Sequence, residues 1–486
     1  MKNKNQAQKR SVGSNALIIV LILIILATSA FGIFAWARYQ TSVEGEGTAQ
    51  VAKWSFKVAG DKTQTEQIAF PISRTDTNDT VVTGTIAPGT YGEIPIEIDV
   101  TGTQTDLVYT ISGSIGNLPR NLKLYYDSAR TQEMVTVGQT FSKGNYLKVA
   151  DIGTGSKVIT ETIYWEWPFE TGTTADEIKI NNQEDTEDMG KAMTMALTVS
   201  GKQLNGAPVL ADLVQVGDYV NYDANSNGEQ TFTSSDCLEG TSIDASISTA
   251  ENFDSNAKSQ WRVLSVDRTN GEVELMSTDA TAQIVTLSGI DGYVNAETVL
   301  NNIGKIYDNG KGAKIDSGRS INLADIEQYS SYDKTTYINN DGYIVGTSSK
   351  SYEFKTPGNV GVNLEGTEMQ KLTGSSENPV TVNQTFYTYK TQNYFKSSII
   401  YNMIFSKNDN KMYWVNAKSI NLFENYCNFG LSVIATSSEN AVNMTTMYTT
   451  SGHVYDRIAT YVPVVELEDN IQTTGKDANG VWQLDI

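Results

Sequence analysis

Hydrophobic and polar positions divide the chain into one long apolar run and a series of short alternating segments. Between Arg10 and Arg38 there is no charged residue, and residues 16–37 read ALIIVLILIILATSAFGIFAWA. At about 1.5 Å per residue this run makes a helix of roughly 33 Å, enough for a hydrocarbon core of about 30 Å. Lys2, Lys4, Lys9 and Arg10 precede it with no acidic residue. Such a flank stays cytoplasmic and sends the C-terminal side across the membrane. Thr28-Ser29-Ala30 and Ala35-Trp36-Ala37 each fit the small-residue pattern of a signal peptidase site. The stretch up to Leu26 has the length of a signal-peptide core and the full run that of a span. Residues 1–37 are therefore expected to be a signal peptide or a membrane anchor, with both readings open.

From Arg38 to about Leu204 the pattern changes to period two. Ala52, Trp54, Phe56 and Val58 alternate with polar residues, as do Ile94, Ile96, Ile98 and Val100, then Leu107, Tyr109 and Ile111. Leu122, Leu124 and Tyr126, and Met193, Met195, Leu197 and Val199, follow the same rule. Alternation repeated at short spacing predicts a β-sandwich over 38–204, each strand burying one face. Ala87-Pro88-Gly89-Thr90 and Gly116-Asn117-Leu118-Pro119 read as turns between strands.

Around 204–211 the alternation lapses into QLNGAPVLAD, which reads as a linker, and residues 205–486 are expected to form a second, α+β domain. Trp261–Val266 and Glu272–Ser277 flank Thr269-Asn270-Gly271, a strong hairpin signal. Ala296, Val299, Leu300, Ile303 and Ile306 recur at helical spacing behind Asn295, a good N-cap, and a short helix is expected to start near Asn322 and carry Ile326 inward. Residues 346–383 read as long polar surface loops. Strand patterns return at Tyr413–Lys418, Tyr426–Val433 and Tyr461–Leu467, while Ala435–Arg457 is rich in Thr, Ser, Asn and Tyr with almost no periodicity.

Composition supports a mostly β protein: the 486 residues contain 25 Tyr and 39 Gly but only 9 Pro, and 39% are hydrophobic, enough for packed cores. The net charge of −20 argues against nucleic acid as a partner, because that affinity rests on Lys and Arg neutralising phosphates. It suits a soluble exposed surface. Cys237 and Cys427 are the only cysteines. In an oxidising compartment they form either one bridge or two separate buried thiols, and sequence does not give their distance. Neither follows the apolar run closely, so a bacterial lipid anchor of the usual kind is not expected.

Candidate chemistry is sparse. A His-ligated zinc protease needs two histidines one helical turn apart with a Glu between them, and this chain has a single histidine, His453. Glu184, Asp185, Glu187 and Asp188 carry oxygen ligands of the kind Ca²⁺ takes, but such a run more often forms a solvated loop. Asp223–Gly228 copies the first half of an EF-hand loop, yet Ser234 stands where a bidentate Glu is needed, so an Asx-rich turn is the better reading. Gly304–Lys314 lacks the spacing and the hydroxyl of a phosphate loop. No cofactor and no metal are expected.

The segments FAWARYQTSVEGEGTAQVAKWSFKV, IAPGTYGEIPIEIDV, NLPRNLKLYYD, YWEWPFETG and DTEDMGKAMTMALTVSG, in that order, resemble the TasA and camelysin group of Firmicutes surface and biofilm-matrix proteins. That resemblance covers about residues 12–204. It implies a jelly-roll sandwich, export through a dedicated signal peptidase, and a first strand that pairs with a neighbouring subunit. Camelysins have been described as metalloproteases, a reading the single histidine opposes. The segments WRVLSVDRTNGEVELMS, LSGIDGYVNAETVLNNIGKIYDNGKGA and GRSINLADIEQY, with the three late strands, are similar to a domain of Clostridial surface and prophage proteins. Its relatives share the C-type-lectin-like fold of formylglycine-generating enzymes and phage receptor-binding tips. Here Val462 replaces the Arg before the proline and Asn416-Ala417-Lys418 replaces A-S-R. The reactive cysteines of the enzyme branch have no matching pair near Cys427.

Two function classes follow: a non-catalytic surface or matrix protein whose sandwich anchors or assembles and whose distal domain binds a surface glycan or protein, or a secreted hydrolase. No Ser, Cys or carboxylate constellation in the sequence can be matched to a base. The contact residues expected for the first class are Tyr448, His453, Tyr455 and Arg457. They are tyrosines and charged groups set among small polar residues, as in antibody loops. The expected partners are a second copy through the Ala49–Val58 strand, a signal peptidase, and the membrane if the leader is retained.

Overall fold

The computed structural model describes residues 57–58, 68–69, 73–76, 80–82, 85–116, 118–135, 140–172, 175–191, 194–329, 351–354, 360–362, 371–373, 380–383, 389–390, 398–405, 412–422, 427–435, 441–449 and 453–486. The apolar leader, its cleavage sites and the strand expected through Ala49–Phe56 lie outside these residues. Among the described residues no helix is long and apolar enough to cross a membrane.

The alternation read in the first half is realised in strands. Thr90–Asp99 (β4) buries Ile94, Ile96 and Ile98, with Val100 next, and Leu107–Gly116 (β5) buries Leu107, Tyr109 and Ile111. β4 pairs along its whole length with Val158–Trp167 (β8), from Thr90↔Trp167 to Asp99↔Val158. That sheet is completed by Lys57–Val58 (β1), Ser73–Arg74 (β3) and Lys123–Tyr125 (β6). In the second sheet β5 lies between Thr140–Leu147 (β7) and Thr194–Gln203 (β9), and Ile68–Ala69 (β2) adds to β9. All pairings in both sheets are antiparallel. The Tyr109 hydroxyl of β5 donates to Glu161 of β8, so the two sheets face each other. At Ala87–Thr90 the turn is as expected: Pro88 and Gly89 (φ +85°) sit inside it and the Thr90 N–H donates to the Ala87 carbonyl.

The acidic run expected as a solvated loop is instead the end of a helix, Ala175–Asp188, between β8 and β9. Its carboxylates dock it: Asp185 accepts from Trp167 Nε1 and Asn121 Nδ2, both at 2.9 Å, and the Arg120 N–H donates to Asp188. The Arg120 guanidinium reaches Glu187 at 2.8 Å. Protein donors from Arg120, Asn121 and Trp167 thus meet these carboxylates.

The expected linker is likewise a packed joint. Leu210–Leu213 is one helical turn, and Leu210, Ala211 and Val214 are buried in one cluster with Val108 of β5. Gly144 in β7 lets this turn approach, because a Cβ there would lie 1.6 Å from the Asp212 carbonyl oxygen. The Arg268 guanidinium donates across the joint to Ser142 Oγ and to the Val214 carbonyl.

Beyond the joint, Tyr219–Asn221 (β10) enters a seven-stranded mixed sheet. β10 runs antiparallel to Trp261–Asp267 and parallel to Trp482–Leu484, so the first strand of this half lies beside its last. The Asn-Gly hairpin joins Trp261–Asp267 to Glu272–Ser277 as expected, with Gly271 at φ +77° and the Asp267 carboxylate accepting from the Thr269 and Asn270 N–H groups. Tyr222, Phe253, Trp261 and Tyr307 pack beneath it with ring centroids 5.3–6.1 Å apart.

Helix Gly289–Lys305 buries Ala296, Val299, Leu300 and Ile303 but begins six residues before Asn295. Gly289 at φ +59° turns strand Val285–Ser288 straight into the helix, and Asn295 is an interior residue whose amide donates to the Glu239 carbonyl. The helix expected near Asn322 is Leu323–Glu327, capped by Asn322 and burying Ile326. Within 346–383 the described segments are not loops but two ribbons, Ser351–Phe354 with Val380–Asn383 and Val360–Val362 with Lys371–Thr373. The protein is thus mainly β, with the Ala175–Asp188 helix docked on its first half and further helices packed on its second.

Candidate functional site

The stretch expected as irregular late loops forms a strand, Ala441–Thr449, flanked in a four-stranded sheet by Cys427–Ala435 and Tyr389–Lys390. The chain then returns antiparallel to it: the Thr449 N–H donates to the His453 carbonyl and the Tyr455 N–H to the Met447 carbonyl. Asp456–Ala459 leaves this hairpin to pair with Val285–Ser288. The strand lacks regular alternation: Asn443, Thr445, Thr446 and Thr449 are polar, and its buried residues are Val442, Met447, Tyr448 and Thr449.

Tyr448 is a core residue, not a surface contact. A bulge opposite Phe429 and Gly430 turns the consecutive Met447 and Tyr448 inward, and the Tyr448 ring packs on Phe429 at 5.8 Å. The other three sequence candidates come together. His453 and Tyr455 stack at 6.4 Å with planes 12° apart, and the Arg457 guanidinium lies 4.6 Å over the opposite partner, the Tyr455 ring. Arg457 Nε donates to the Thr446 carbonyl at 2.6 Å, which fixes the fork in place. Val454 and Ile458, at 61% and 54% exposure, alternate with these three residues and so lie on the other face of the segment. The stack itself is an aromatic and cationic cluster suited to stacking and bidentate hydrogen bonding. Its signal was in the sequence: residues 453, 455 and 457 are two apart on an extended segment and share a face.

Other candidates hold simpler chemistry. The Asp223–Gly228 stretch is an Asx turn, with the Asn225 N–H donating to the Asp223 carboxylate. Cys237 is a free, half-buried thiol pushed up in pKa by its burial, which makes it a poor nucleophile; the Cys427 side chain lies outside the described residues. Among the described residues Glu272, Glu466 and Asp469 bring carboxylates within 4.8 Å of one another. The Lys314 ammonium already bridges two of them, at 2.7 Å from Glu466 and 3.2 Å from Asp469.

A charge network that sequence reading missed lies at the sheet edge. Arg319 contacts Asp325 through both terminal nitrogens and Glu274 through one. The residues of this network carry no local motif. No family model and no curated protein matches this chain.

Proposed function

We propose that this chain is a non-catalytic protein of the bacterial cell surface or biofilm matrix, exported through residues 1–37. Its sandwich anchors or assembles, and its second half binds a surface glycan or protein. The jelly-roll and C-type-lectin-like assignments of the two halves belong to this reading. They are supported by the ordered TasA and camelysin-like segments, by two facing antiparallel sheets over 57–203, and by the mixed sheet with its packed helix beyond them. The observation that carries the binding role is the His453–Tyr455–Arg457 stack, in which His453 is exposed and Tyr455 and Arg457 are half-buried. A ridge of this kind offers large contact area at low entropic cost.

The test is adhesion of the full chain to bacterial or host-cell surfaces, with His453, Tyr455 and Arg457 replaced together by Ala. Adhesion should fall at least tenfold while the melting temperature stays within about 2 °C. Unchanged adhesion, or hydrolysis of a glycan or peptide panel by the purified protein, overturns the reading. Assembly is tested separately. Among the described residues Lys57–Val58 and Ser73–Arg74 pair with β4, and the strand that ends at Val58 is the one expected to add to a neighbouring chain. Deleting residues 38–58 should abolish self-association in light scattering and leave the second half folded.

A further inference from the structure

Between the sandwich and the second half lies a cleft of about 800 Å³, walled by Tyr126, Lys143 and Tyr146 on one side and by Tyr219, Arg262 and Trp482 on the other. The volume is that of a small-molecule site. Three cation–aromatic stacks line it. Lys143 lies 6.0 Å from the Tyr126 ring, the Arg262 guanidinium 4.9 Å from the Tyr219 ring, and the Lys476 ammonium 4.9 Å from Trp482. Each stack is internal to its own half, so none of them serves to bind the halves together. They face one another across the joint.

The charge of this wall opposes that of the protein. The chain carries −20, yet the cleft shows four cations, Lys143, Lys258, Arg262 and Lys476, against two carboxylates, Glu133 and Asp218. Two of the cations are neutralised: Lys143 by Glu161 and Lys476 by Asp218, which also accepts from Trp482 Nε1 at 2.8 Å. Glu133 turns to Lys123. Among the described residues no carboxylate pairs with Arg262 or with Lys258. Arg262 is half-buried, its Nε is committed to the Gly217 carbonyl at 2.9 Å, and stacking on Tyr219 fixes its plane. Its terminal N–H groups remain as a fork for a planar oxyanion. A desolvated cation without an ion-pair partner is costly, and an external anion relieves that cost.

We propose that this cleft binds an acidic carbohydrate, its carboxylate or phosphate seated on Arg262 and Lys258 and its sugar ring against the tyrosine and tryptophan walls. The aromatic walls favour a ring with an apolar face over a bare inorganic anion. This site is separate from the His453 ridge and does not depend on its role in adhesion.

The experiment is calorimetric titration of the full chain, in nonionic detergent, with trigalacturonate, with cellotriose phosphorylated at a primary hydroxyl and with neutral cellotriose. At least one anionic ligand should bind tenfold or more tightly than cellotriose and weaken as salt rises; which one does so distinguishes carboxylate from phosphate recognition. Lys258→Glu alters an exposed residue and should weaken that binding at least fivefold at unchanged melting temperature. Arg262→Lys, which keeps charge but loses the fork, should weaken it at least tenfold. The His453, Tyr455 and Arg457 triple variant should retain it, so failure of this site and failure of the adhesive ridge are read separately. Equal affinity for cellotriose and both anions, or unchanged affinity in Lys258→Glu and Arg262→Lys, overturns the proposal.

Discussion

Arg319 and Asp325 form a two-pronged ion pair, with Nη1–Oδ2 at 2.6 Å and Nη2–Oδ1 at 2.8 Å, at the edge of the seven-stranded sheet. The same Asp325 carboxylate accepts from the Asn322 N–H, so the pair fixes a sheet edge and a helix N-terminus at once. Removing Arg319 leaves the buried Asp325 without its cation, whereas removing Asp325 leaves Arg319 with Glu274 at 2.7 Å. Arg319→Ala is expected to cost about 3–5 kcal/mol, read by chemical denaturation, and Asp325→Ala less. A loss below 1 kcal/mol would show the network to be peripheral.

Asn322 caps the Leu323–Glu327 helix, its side-chain oxygen accepting from the Asp325 N–H at 3.1 Å. Asn322→Ala should cost about 1 kcal/mol and Asn322→Ser little. Equal losses in the two variants would count against the capping role.

Gly144 is expected to couple the unfolding of the two halves. A methyl group added there meets the Asp212 backbone oxygen at 1.6 Å, and neither β7 nor the Leu210–Leu213 turn can yield without moving. Gly144→Ala is expected to lower stability by about 1–3 kcal/mol and to split a single calorimetric transition into two. An unchanged single transition would mean that the joint is not what couples the halves.

Glu161 should make the sandwich sensitive to acid. Burial alone would push its carboxyl up, but hydrogen bonds from Lys143 and Tyr109 outweigh that and hold it below the ordinary value. Because the native value is depressed, the stabilisation is complete above the unfolded pKa of about 4.3 and is lost as pH falls through the lower native one. Glu161→Gln should be less stable than the parent at pH 7 by about 1–3 kcal/mol, and the difference should shrink as pH falls below the unfolded value and through the depressed native one. A constant difference across that range would refute the linkage.

Tyr461 is fully buried and among the described residues its hydroxyl has no hydrogen-bond partner. Deleting that hydroxyl removes a desolvation cost without opening a contact. Tyr461→Phe should therefore match or exceed the parent in stability, by up to about 1 kcal/mol. A clear loss on thermal unfolding would reveal a role for the hydroxyl.

Local patterns in the sequence determined the elements that need only their own residues. Alternation at Ile94, Ile96 and Ile98 made a strand because period two places those side chains on one face whatever lies opposite. Asn270-Gly271 made a hairpin, and Asn322 a cap, because their conformational preferences act within four residues. The His453, Tyr455 and Arg457 spacing was visible in the same way. Tertiary structure decided everything that depends on a distant partner. The acidic run at 184–188 became a docked helix because Arg120, Asn121 and Trp167 supply its donors. The stretch at 204–211 became a joint because Gly144 makes room for it, and Tyr448 went inward because a bulge opposite Phe429 and Gly430 reversed its face. The cleft at that joint draws on residues from 126 to 482, and no local rule relates them. Charge and packing between segments far apart in sequence are properties of the folded chain, so only the fold reveals them.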